Sequence, residues 1–197
     1  MPDLDAPRAV LDLPRSLAIQ ARANRLANRR LQEALGNLST AELHARRTSF
    51  FPTLIGTLNH LLAVDLFYIA ALHGEADMDQ QYRRFAPHDD LSPYVSAQER
   101  SDQRLIAFCD RLDAAGCNAV VEMRRGDGVV QRDLAGHVLQ HLFMHQTHHR
   151  GQVHAMLAGT AVKPPQLDEF LMPSDAQYRV RDMAALGWSE RELYGPA

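Results

Sequence analysis

Apolar residues recur along this chain at helical spacing in four long stretches, which predicts an all-α fold. The first runs from Arg15, with Leu17, Ala21, Leu26, Ala27, Leu31 and Leu35 on its inner side, and Gly36-Asn37 closes it. Thr40 to Leu43 reads as a further short turn. The second stretch, 48–73, is apolar all round; Asp65 is its only Asp, Glu, Lys or Arg, and Pro52 suits a first helical turn. The third covers 94–115, with Val95, Leu105, Phe108, Cys109 and Leu112 inward and Gly116 as its stop. The fourth covers 133–158, ended by Gly159 and by Pro164-Pro165. A shorter helix is expected at 174–186, between Ser174-Asp175 and Gly187. Asp127-Gly128 between extended runs predicts a small β-hairpin before the fourth helix. Residues 74–93, rich in Gly, Pro and Asp, read as a functional flap. Residues 1–14, with Pro2, Pro7 and Pro14, read as a draped arm.

The 48–73 stretch is long enough to span a bilayer. It carries Asn59, His60 and Asp65 at its middle, where polar groups are costly in lipid. A central bundle helix is the better reading, with no membrane partner. The 197 residues are 46% hydrophobic and 23% charged, enough apolar material for a core without disulfides. A net charge of −3 argues against nucleic acid as a partner. Arg22, Arg25 and Arg29 share a face that reads as solvated. Cys109 and Cys117 are too sparse for a disulfide framework. Free thiols in a reducing, cytoplasmic setting are expected, and no secretory signal is visible.

Histidine is where the composition departs from the ordinary. Five of the 10 histidines, His137, His141, His145, His148 and His149, fall within 13 residues. Four of them form an i, i+4 ladder, a spacing that stacks side chains on one helical face. Each step drifts by about 40°, so only adjacent rungs can share an ion. The candidate pairs are His137/His141, His141/His145 and His145/His149. A catalytic zinc site commonly takes a third protein ligand. His60 is the best placed, since an imidazole amid apolar residues needs a partner. Asp65 either holds a ligand imidazole in place or bonds to another helix. Asp65 or His141 could also close the coordination sphere as a fourth ligand. His44, His73, His88 and His154 have no such company.

The segments NRLANRRLQEAL, TLNHLLAVDLFYIAAL, VLQHLFMHQTHHRGQVHAML and PPQLDEF together resemble the DinB-like family, over residues 17–172. The resemblance implies a metal-binding four-helix bundle of up-down-down-up topology, flanked by an arm (1–16) and a C-terminal extension (173–197). It also implies a metal site of His60, His145 and His149, with His141, His148, Arg150, Gly151 and Gln152 in support. Gly151 would permit close helix approach. Related members are mycothiol-dependent maleylpyruvate isomerases and bacillithiol transferases. The isomerases tend to carry Glu where this chain has His145, which makes isomerase activity the weaker expectation. The expected cofactor is one divalent ion: zinc, nickel or iron, which three imidazoles do not separate. The expected function is thiol S-transfer or hydrolysis on a small-molecule thiol or electrophile, with Arg150 either a substrate-carboxylate contact or a helix-pairing residue. The alternatives are a non-catalytic, stress-related metal-binding protein and a plain helical scaffold. A homodimer through bundle faces is the implied assembly.

Overall fold

The computed structural model describes residues 11–125 and 128–194. Most of the N-terminal arm and Asp127 of the predicted turn therefore lie outside the described residues. Four long helices form the body: α1 (Leu13–Leu35), α3 (Leu54–Leu72), α5 (Leu91–Cys109) and α7 (Ala135–Leu157). Shorter elements join them: α2 (Thr40–His44), α4 (Met78–Arg83), α6 (Ala114–Cys117) and a hairpin of β1 (Val120–Arg124) with β2 (Val130–Leu134). The hairpin is antiparallel, pairing Val120 with Leu134 and Arg124 with Val130. A 3-10 turn (Pro173–Tyr178), α8 (Val180–Leu186) and α9 (Glu190–Tyr194) close the chain.

Several boundaries differ from the expectation, each for a local reason. α1 starts two residues early because the Asp12 carboxylate accepts from the Arg15 amide, with Pro14 in the first turn. α3 starts at Leu54, so Pro52 precedes the helix instead of opening it; Thr53 is the cap and accepts from the Gly56 amide at 3.0 Å. A Cβ at position 56 would lie 2.7 Å from Thr53 Oγ1, so glycine there preserves the cap. The third helix ends at Cys109, and Asp113 caps a separate turn by accepting from the Gly116 amide. Asp133 and Leu134 belong to β2. The C-terminal helix is split, and Gly187 ends α8 with φ 68°, the left-handed region that favours glycine. Ser39 and Glu42 form a reciprocal cap on α2.

The core shows the directions of the helices. One apolar cluster joins the start of α1 (Leu17), the ends of α3 (Ile69) and α5 (Cys109), and the start of α7 (Leu139). A second joins the end of α1 (Leu35), the starts of α3 (Leu58) and α5 (Tyr94), and the end of α7 (Leu157), and a third packs the C-terminal segment (Phe170, Met183, Leu193) on the middle of α1. So α1 and α7 run one way and α3 and α5 the other, an up-down-down-up bundle. α1 and α3 each pack against both α5 and α7. Because α3 and α5 are parallel neighbours, the chain between them must return the length of the bundle, about 28 Å for 19 residues. Residues 73–90 are that crossover, which accounts for the stretch read as a flap. It is tied down: the Asn59 side chain donates to the His88 carbonyl and accepts from its amide. α3 is apolar enough to cross a membrane, yet most of its residues are buried in the bundle, as befits a core helix.

Candidate metal centre

α3 and α7 are antiparallel neighbours, and their facing sides bring three imidazoles together. His60 lies a third of the way along α3; His145 and His149 stand one turn apart on α7. One ring nitrogen from each lies within 4.8 Å of the other two. His60 Nε2 and His145 Nε2 are 3.1 Å apart. Ring centroids are separated by 5.1 Å (His60–His145), 4.5 Å (His60–His149) and 4.4 Å (His145–His149). A tetrahedral ion with nitrogen ligands at about 2.0–2.1 Å places them about 3.4 Å apart. The group can therefore hold a metal ion after small ring rotations.

The electrostatics suit a cation. Burial, then the neighbouring His149, pushes His60 down to about 4. Burial, then the surrounding histidines, pushes His145 down to about 3. Burial also lowers His149. The rings are therefore neutral at pH 7, with lone pairs to offer. His149 Nδ1 faces Gln152 Oε1 at 2.8 Å. An amide oxygen only accepts, so Nδ1 carries the proton and Nε2 is left as the free donor atom. Among the described residues His145 Nδ1 is buried without a partner, and the ring's hydrogen-bonding contact is with His60. Phe51 stacks on His60 at 4.3 Å, and Phe50 beside it is 82% exposed.

Other residues singled out from the sequence lie elsewhere. His141 is outside the cluster; its exposed ring meets Tyr68 at 5.2 Å. His137 and His148 are exposed. Asp65 is fully buried, and its Oδ2 accepts from Gln98 Nε2 of α5 at 2.7 Å. It therefore bonds to another helix and does not hold a ligand imidazole. Arg150 turns toward α1, donating from Nη1 to the Asn24 and Asn28 side-chain oxygens. That makes it a helix-pairing residue and removes it from substrate contact at the imidazoles. A Cβ on Gly151 would meet nothing within 4 Å, so close helix approach is not its role. The supposed solvated arginine face is paired: Arg22 with Asp110, Arg25 with Glu99, Arg29 with Glu33 and Asp182.

The buried polar groups among these form a layer between the first two apolar clusters. Asp102 accepts from Asn28 and Gln98, and the Tyr94 hydroxyl donates to Gln98 Oε1. Every long helix contributes to it. Burial pushes Asp65 up to about 7 and Asp102 up to about 6.

A 200 Å³ cavity adjoins the imidazoles, with His145 and His141 in its wall beside Phe67, Tyr68 and Arg125. Sequence reading missed Arg125 and Phe51. The first follows a strand and the second precedes a helix, so neither carries a periodic signal.

Comparison with known proteins bears on what this arrangement is. "Protein DinB" of Bacillus subtilis (strain 168) is 24% identical over 152 residues, spanning 74% of this chain and 87% of that protein. The sequence model of the DinB family matches residues 16–181, which takes in all four long helices but the first residues of α1. With its bundle and its three converging histidines, the chain belongs to the DinB family.

Proposed function

We propose that the protein holds one divalent ion, zinc, nickel or iron, on His60, His145 and His149, and transfers a small-molecule thiol to an electrophile or hydrolyses one. The observation that carries the reading is the convergence of three neutral imidazoles from two helices, with neither His141 nor Asp65 in the group to act as a fourth ligand. An ion bound there supplies Lewis acidity, lowering the pKa of a thiol or water in its remaining position.

The chain's own residues do the rest. Gln152 fixes the His149 tautomer. Phe51 shields one face of His60 from water. The 200 Å³ cavity at His145 is smaller than the roughly 300–1,000 Å³ of drug-sized sites, so it suits a small electrophile. The thiol must come from outside. Cys109 is buried and burial pushes it up to about 12, and burial also raises Cys117, so neither supplies a thiolate. A cytoplasmic setting would provide such thiols.

The test is turnover. Metal-loaded protein, purified without a His-tag, is incubated with several cellular thiols and a generic electrophile such as chlorodinitrobenzene, and conjugate and hydrolysis product are measured. The reading expects metal-dependent product with at least one thiol, or with water. Full metal loading without product would replace it with a non-catalytic metal-binding role.

A further inference from the structure

A second cavity, of 440 Å³, lies on the other side of α7, between α1, α7 and residues 166–171. None of the three converging imidazoles lines it. Its walls are largely apolar, with Phe143, Phe170 and Leu167 around Ala23 and Ala27. Arg150 and Asn24, 8% and 4% exposed, are the buried polar groups lining it.

Arg150 is the unusual member. Its guanidinium is buried, yet no carboxylate among the described residues lies within ion-pair distance of it. Among the described residues its hydrogen bonds go to two neutral amide oxygens, both from Nη1. Asp102, the acid across the polar layer, is already engaged by Arg25 at 3.7 Å and by Asn28 at 3.0 Å. Asp65 is engaged by Gln98. Asp168, at the cavity's exposed rim, is bonded by Gln166. Asp102 and Asp65 attract it only from beyond ion-pair distance; a buried cation with no carboxylate in contact is costly, and an anion entering from the cavity would offset that cost.

We propose that this cavity is a separate binding site for a small amphipathic carboxylate, its head group on Arg150 and its apolar body against Phe143, Leu167 and Phe170. The size fits such a molecule, since ligand sites of this kind run from about 300 to 1,000 Å³. The site is independent of the imidazole cluster, so it stands whether or not the protein is an enzyme.

The chain offers a direct reporter. Trp188, its single tryptophan, packs against the cluster of Ala23, Ala27 and Phe170 that borders the cavity. Octanoate, phenylacetate and the uncharged phenylacetamide are titrated into full-length protein, with binding read by calorimetry and tryptophan fluorescence. The acids are expected to bind at least tenfold more tightly than the amide; octanoate against phenylacetate separates an aliphatic from an aromatic occupant. Thr147→Phe, a filling change on the exposed part of the wall, should abolish binding while leaving helix content and metal content unchanged. Arg150→Lys should retain part of the preference for acids and Arg150→Met none. Equal affinity for phenylacetate and phenylacetamide, binding that survives Thr147→Phe, or no binding of either acid at millimolar concentration would overturn the proposal.

Discussion

At the scale of single residues, the site depends on protons as much as on position. An imidazole offers a metal only one nitrogen at a time, and which one is set by what the other nitrogen touches. For His149 that choice belongs to Gln152, three residues on, whose oxygen can only accept. Removing this partner lets the ring change tautomer or rotate. Gln152→Ala should therefore weaken metal binding by about 10- to 100-fold without loss of helix content. Competition with a chromophoric chelator measures this, and unchanged affinity would show that Gln152 does not orient the ring. The histidine ladder was legible in the sequence because helical spacing is regular. Geometry left three pairs open, and the structure brings one of them, His145/His149, to His60. His141 lost out because its ring turns to Tyr68.

At the scale of elements, polar side chains on helices were harder to read than apolar ones. Arg22, Arg25 and Arg29 read as a solvated face, yet Arg25 is buried and pairs with Glu99 of α5, next to Asn24, Asn28, Gln98 and Asp102, which are also buried and bonded between helices. A polar residue has the same pattern whether its partner is water or another helix, so periodicity could not tell these cases apart. Caps were similarly hidden: Asp113, accepting from the Gly116 amide, opens a separate turn after the third helix has ended at Cys109.

Asp65 makes the polar layer testable. Burial raises it from 3.8 to about 7, so between those values the folded protein holds a proton that the unfolded chain has released. Stability attributable to Asp65 is then greatest at low pH and is lost as pH rises from about 4 to about 7. Asp65→Asn removes that titration. The melting temperature of the wild type should fall relative to the variant across this window and run parallel to it above pH 8. A constant difference from pH 4 to 8 would mean that Asp65 is ionised throughout.

At the scale of the whole molecule, helix directions determine what can meet. α3 and α7 run antiparallel and in contact, which brings His60, early in α3, level with the second half of α7. The price of that topology is the long return from α3 to α5; its length and its Gly, Pro and Asp content resembled a flap, although the up-down-down-up order implied by the family resemblance already required such a crossover. Four long helices and the hairpin were readable from pattern; the crossover and the divided C-terminus rest on long-range packing, such as Arg30 bridging α1 to Glu169 and Asp182.

The most direct measurement is the metal content of untagged protein, kept away from nickel resin, for wild type, His60→Ala, His145→Ala and His154→Ala, by plasma mass spectrometry. His154 bonds to the Pro165 carbonyl and is not in the cluster, so it serves as the control. One equivalent of a divalent ion in wild type and in His154→Ala, and almost none in the other two, is the predicted result. A wild-type chain that takes up no ion, or His60→Ala retaining a full equivalent, would contradict a site shared between α3 and α7.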